Sequence, residues 1–217
     1  EGLWHAASGA DFDPALDERG LLAQLQLDLG QVISVQPRPI YLQAAWGESY
    51  NNQLPVISRQ EWLVEYTAHE EARFHLANGT TVPLAEVEGA RSDLIQPIAP
   101  ATQRVLLRVT EKGSHKPLPV KLHAHGQAGE YLPPVDRHRI PNPAWFEDYS
   151  VDFTHRGQHH CTYIPGEATL DLPLGGVYLE ISKGFEIKPL RLRREITPDT
   201  REIHIEIERV LPWRERG

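Results

Sequence analysis

From Glu202 to Glu208 the chain reads EIHIEIE, an unbroken alternation of isoleucine with charged or polar residues. No other stretch constrains the fold as tightly. Period two puts Ile203, Ile205 and Ile207 on one face of an extended strand and Glu202, His204, Glu206 and Glu208 on the other. A helix would scatter the same isoleucines around its circumference, so this segment is a half-buried strand. The segment GEATLDLPLGGVYLEISKG repeats the logic, with Ala168, Leu170 and Leu172 on one face and Thr169 and Asp171 on the other. Leu174 to Gly176 then reads as a hairpin turn.

Eighteen prolines and sixteen glycines cut the 217 residues into short runs of this kind. RVLLRVT (Arg104 to Thr110) and LPVKLHAHG read as two strands joined by the turn EKGSHKP. Upstream, WLVEYTA (Trp62 to Ala68) and EARFHLA (Glu71 to Ala77) alternate too. The NGT that follows is a turn signal leading into a further strand, TVPLAEVE. Helix signals are confined to DPALDERG, where Asp13 would cap, Pro14 would open and Gly20 would stop one short helix. The expected fold is all-β. An antiparallel β-sandwich over residues 101–217 follows a β-rich N-terminal domain, residues 1–100, with at most one short helix. The aperiodic QPIAPATQ, Gln96 to Gln103, marks the boundary.

Composition narrows the partners. A net charge of −8 offers no basic field to nucleic acid or to anionic lipid. No apolar run approaches the ~18 residues of a membrane span. Cys161 is the single cysteine, which excludes an intrachain disulfide and an all-cysteine zinc site. It also lacks the histidine spacing of a thiol nucleophile. The chain contains no methionine, so its start is expected to be processed or trimmed; a removed signal peptide would favour a periplasmic or extracellular setting.

Two features could carry chemistry. His123 and His125, two apart on a strand, point to the same side, as two ligands of a metal site would. His155, His159 or His160 could supply a third ligand. Against this stands the plainer expectation that Val120, Leu122 and Ala124 face the core and leave Lys121, His123 and His125 facing solvent or a second module. The other feature is the long insert, residues 129–167, rich in proline and aromatics. It carries Tyr131, Trp145, Phe146, Asp148 and Tyr149, and long loops on a rigid scaffold are commonly functional. Aromatics beside carboxylates suit a sugar ring or an interface with another domain. Arg191 to Glu195, RLRRE, fits a salt-bridged strand face better than an anion site.

From Arg104 onward the segments GEYLPPVDRHRIPNPAWFEDYSVDF, TYIPGEATLDLPLGGVYLEISKGFEIKPLR and IERVLPWRERG resemble a known region. It is the accessory β-sandwich, carboxypeptidase-regulatory-like or transthyretin-like, that precedes the catalytic domain of CehA/McbA-type metallohydrolases of the PHP superfamily. The resemblance implies a catalytic barrel downstream of Gly217, holding the divalent metal and its own His-x-His. This chain would then carry no cofactor and no catalytic residue, and His123 and His125 would match none of the barrel ligands. Its partner would be that downstream domain of the same polypeptide, with Tyr131, Trp145, Phe146, Asp148 and Tyr149 as docking or ligand-binding candidates and self-association as a further outlet for them. The alternative from another class is an independent carbohydrate-binding module. A third, weaker one is a metal-dependent enzyme built on His123, His125 and His155 or His159.

Overall fold

A computed structural model describes residues 20, 22, 25–41, 55–137, 139–140, 143–144, 149–150, 152–155 and 159–211, with the backbone alone at 139–140, 149–150 and 154–155. The helix expected from Asp13 to Gly20 falls almost wholly outside these residues. The chain forms two compact units, one from Glu1–Ile40 and Ile57–Ile98, the other from Tyr41–Val56 and Ala99–Gly217. The division thus lies within QPIAPATQ, and the second unit also takes a piece of the N-terminal half.

In the first unit β1 (Gln26–Ile40), β2 (Val56–His75) and β3 (Thr81–Pro83) form one sheet in that order. The two alternating runs around Trp62 and Phe74 are a single long strand, β2. NGT makes the expected turn: Leu76 N–H donates to the Thr80 carbonyl at 2.9 Å, and Gly79 takes the left-handed φ of 82° that glycine adopts without strain. The strand expected beyond it is corrected. Only Thr81–Pro83 pairs with β2; Leu84–Glu88 is α1, a short helix. The residues explain the switch. Leu84 and Val87 are three apart, so one helical face buries both, and Glu86 sits in the first turn where the helix dipole favours an acid. They join Leu25, Leu27, Phe74 and Val82 in one apolar cluster.

The second unit is a two-sheet sandwich. One sheet is β10 (Glu167–Pro173), β4 (Ala101–Glu111) and β13 (Glu202–Ile207), in that order. The other is β12 (Leu190–Ile196), β11 (Gly175–Ser182), β5 (Val120–Gly126), β9 (His159–Ile164) and β8 (Asp152–His155). A short ladder, β6 (Arg139–Ile140) with β7 (Tyr149–Ser150), stands apart. Both sheets feed one core: Val105, Leu107 and Val109 of β4, Ala168, Leu170 and Leu172 of β10 and Ile203, Ile205 and Ile207 of β13 meet Leu122 and Ala124 of β5 and Val177, Leu179 and Ile181 of β11. The alternation expected for β10 and β13 holds at each of these positions. A fully buried side chain of this size contributes roughly 1.5–3 kcal/mol.

Three details differ from expectation. β13 pairs with β4 in parallel, whereas the other described pairings of the sandwich are antiparallel. Leu174 to Gly176 is not a hairpin turn, because β10 and β11 lie in different sheets and the chain crosses the core edge between them. The insert supplies strands of its own: β8 and β9 extend the five-stranded sheet next to β5, and the β6–β7 ladder also lies within it. No helix among the described residues is long and apolar enough to cross a membrane.

Candidate functional site

The site grows from the end of β5. Val120, Leu122 and Ala124 face the core as expected, which turns His123 and His125 to the opposite face of the five-stranded sheet. That face is not wet. His123 is 3% exposed and His125 1%, covered within their own unit, so the expectation that they face solvent or a second module is corrected. The backbone explains what covers them. After β5 the chain turns at Gln127 to Gly129 and folds straight back: Gly126 N–H donates to the Glu130 carbonyl, Leu132 N–H donates to the Ala124 carbonyl, and Tyr131 bridges His125. The returning strand takes the edge of β5 that β9 would otherwise use, and the described β5–β9 register ends at Leu122 opposite Thr162. A Cβ at Gly126 would run into the Glu130 carboxylate, so glycine lets that side chain lie against the strand.

His159, the first residue of β9, completes the layer and is 1% exposed. Its ring centre is 3.9 Å from that of His123 in a stacked arrangement and 5.2 Å from that of His125. His123 and His125 are 6.4 Å apart by the same measure. Aromatic rings close the surroundings. Tyr41 lies 5.4 Å from His125 and stacks on Tyr178 at 4.7 Å; Tyr131 lies 5.6 Å from His125 and 5.3 Å from His160. Tyr178 pairs directly across from His125 on β11, so the cluster spans the three middle strands, β11, β5 and β9.

The polar bonds orient it. His123 Nδ1–H donates to the His160 carbonyl at 2.9 Å; a carbonyl only accepts, so this nitrogen carries the proton. The Tyr131 hydroxyl donates to Asp152 at 2.9 Å, and the Arg137 guanidinium reaches the other oxygen of Asp152 at 3.3 Å. Beyond Tyr178 on the same face, Glu180 accepts from Arg191 at 2.9 Å, both side chains being nearly buried. His125 is different. Neither of its ring nitrogens has a hydrogen-bond partner among the described residues.

Burial governs the protonation here. It drives His125 well below the usual imidazole range, and the neighbouring His159, His123 and His160 add to the effect. The Tyr41 phenol is pushed up by burial and by Glu180, and the Tyr131 phenol by burial and its bond to Asp152. The Cys161 thiol, buried on β9, is raised chiefly by burial, which suits a packing role and not a nucleophile. Among the described residues no group of three His, Cys, Asp or Glu side chains is placed to hold a metal ion.

Of the residues singled out from sequence, the structure brings together His123, His125, His159 and Tyr131. His155 ends β8, and its side chain lies outside the described residues, as does that of Tyr149 on β7. Trp145, Phe146 and Asp148 lie wholly outside them. Tyr41, Tyr178 and Asp152 were missed. Tyr178 was legible, since it alternates with the core residues Val177 and Leu179. Tyr41 gave no signal, because it reaches His125 from far away in the chain. Arg191 to Glu195 is salt-bridged as expected, through Arg191 to Glu180 and Arg193 to Glu195, each at 2.9 Å.

Comparison of the chain with protein-family models, curated proteins and solved structures returns no match.

Proposed function

We propose that this chain is a non-catalytic accessory region of a larger metal-dependent hydrolase. Its transthyretin-like sandwich docks on a downstream PHP-type catalytic domain of the same polypeptide and shapes access to that domain's active site. The observation that carries this reading is the closure of the histidine layer. The cluster best equipped for chemistry has His123, His125 and His159 no more than 3% exposed, beneath tyrosines. A catalytic site must admit its substrate, and a closed layer suits a structural module. The partner in this reading is the one that the sequence resemblance from Arg104 onward implies.

The outer edge of the five-stranded sheet supports docking. Phe153 of β8 and Tyr163 of β9 stand edge to face, ring centres 5.7 Å apart, and are 51% and 59% exposed. Apolar surface displayed in this way is typical of interfaces. The same exposed pair favours one second reading, an independent carbohydrate-binding module, because aromatic faces stack on sugar rings.

The test has two arms. The 217-residue chain should hydrolyse no ester, phosphoester or carbamate above background, with or without added zinc, manganese or iron. Turnover that disappears in His123→Ala would overturn the proposal. In the longer polypeptide, Tyr163→Ala and Trp145→Ala should weaken the coupling between sandwich and catalytic domain, read by thermal unfolding and by KM. If both leave the longer protein unchanged while abolishing retention on a glycan array, the carbohydrate reading replaces the docking one.

A further inference from the structure

The buried histidine layer poses a question that a packing role leaves open. A buried polar group is almost always hydrogen-bonded, and one that is not calls for a specific cause such as an ion. His125 is such a group: 1% exposed, with neither ring nitrogen bonded to a described residue. We propose that His123, His125 and His159 together bind one borderline divalent cation, zinc by preference, between β5 and the start of β9. This goes beyond the accessory reading and does not depend on it.

The geometry is close to what such an ion needs. With Zn–N bonds of about 2.0–2.1 Å in a tetrahedral set, imidazole ring centres stand roughly 5 Å apart. The observed separations are 3.9, 5.2 and 6.4 Å. His125 and His159 already stand at the required spacing. As placed the three do not hold an ion: His123 must move about 1 Å away from His159 and about as far toward His125, and the rings of His125 and His159 must turn about Cβ–Cγ. Those are side-chain motions, and His123 and His125 are held on a paired central strand.

The surrounding chemistry selects the ligand. His123 Nδ1–H is committed to the His160 carbonyl, which makes Nε2 the ligating nitrogen; a metal-bound histidine characteristically donates its other N–H to a carbonyl or carboxylate in this way. A donor set of imidazoles alone favours zinc, copper or nickel over magnesium and calcium, which prefer oxygen. An ion bound here would staple the start of β9, within the insert, to the central strand of the sandwich, beneath Tyr41 and Tyr131. Closed off in that way, it would serve as a structural ion.

The experiment uses the whole chain. Purified protein is stripped with chelator, exposed to zinc chloride, passed through a desalting column and assayed for metal; cobalt(II) is then substituted as a spectroscopic probe. The expected result is about one zinc per chain, a raised melting temperature, and the intense visible bands of tetrahedral cobalt. His125→Phe and His159→Phe, which keep an aromatic ring and remove the ligand, should each lower affinity at least tenfold. Three results would overturn the proposal: no zinc retained by the unsubstituted chain, cobalt bands of the weak octahedral type, or retention unchanged in both variants, which would place the metal on other histidines. The first two are read on the unsubstituted protein, so a variant that fails to fold does not obscure the answer. Zinc retained without turnover leaves the accessory reading standing. Zinc-dependent turnover would sink that reading and leave this site intact.

Discussion

Strands β5 and β13 look alike in sequence and differ in what their outward faces meet. Both alternate, and both send their even set (Val120, Leu122, Ala124) or odd set (Ile203, Ile205, Ile207) into the same core. The outward face of β13 is wet: Glu202, His204 and Glu206 are exposed, and Glu206 reaches His115 at 2.8 Å in the open. The outward face of β5 is buried, with His123 and His125 beneath tyrosines. Alternation therefore tells which side chains share a face. It does not tell whether the second face is wet, because that depends on chain returning from elsewhere.

The largest effect that could break this comparison lies on the shared inner face. Ile205→Asp should cost about 4 kcal/mol or more, since it places an unpaired charge in the apolar core beside its register partner Val109, whereas Glu206→Ala next to it should stay within about 0.5 kcal/mol. Chemical denaturation of the two variants checks this directly. A near-wild-type midpoint for Ile205→Asp would refute the register of β13.

Next in size is a pair of matched ion bridges. Glu180 and Arg191 face each other across β11 and β12 on the buried outer side, with side chains 12% and 6% exposed. Removing one partner of such a pair strands the other charge, so Arg191→Met should destabilise by about 3–5 kcal/mol. Should Arg191→Met prove harmless, the outer face of the five-stranded sheet is wetter than its burial indicates.

The histidine layer sharpens the contrast through pH. The folded state holds His125 far below its ordinary value of 6.5, chiefly by burial, so between the two values the unfolded chain takes up a proton that the folded one refuses. Stability contributed in this way is fully present above about 6.5 and is lost as the pH falls below it. The expected slope is about 1.4 kcal/mol per pH unit per histidine of this kind. Denaturation midpoints at successive pH values should show this acid limb, and His125→Phe should flatten it. An unchanged limb in that variant would assign the acid sensitivity to other groups.

These contrasts also show what the sequence could and could not disclose. The sandwich core was readable because Ile203 to Ile207 and Ala168 to Leu172 alternate without interruption, and a half-buried strand permits little else. The helix at Leu84–Glu88 was hidden, because a five-residue element is too short for its periodicity to outweigh the strand signal of the preceding turn. The turn at Leu174 was misread because a crossing between sheets and a hairpin use the same Leu-Gly-Gly chemistry. For the site, the pairing of His123 with His125 was visible in their spacing. Their burial was not, since it depends on the return of Glu130 to Leu132 along β5 and on the distant Tyr41. Local pattern specifies local structure; a second covering layer is a tertiary fact.

The smallest expected effect is the control that gives the others their meaning. Arg104 and Asp171 mirror Arg191 and Glu180 on the opposite sheet: they too pair across neighbouring strands, β4 and β10, and they do so with two bonds, Nε to Oδ1 at 2.9 Å and Nη2 to Oδ2 at 3.0 Å. By bonding geometry alone this bridge should be the stronger of the two, and the Arg104 bond does hold the Asp171 carboxyl below the usual range. Its setting argues the other way. The Arg104 side chain is 68% exposed, so water competes for both partners and salt screens what remains. Arg104→Met should thus leave the denaturation midpoint almost unmoved, and any difference at low ionic strength should fade in molar salt. Arg191→Met should keep its deficit in the same salt, because the charge left on Glu180 remains buried. Equal salt-sensitive losses from both variants would mean that bond geometry, and not the wetness of the outward face, decides what a bridge contributes in this sandwich.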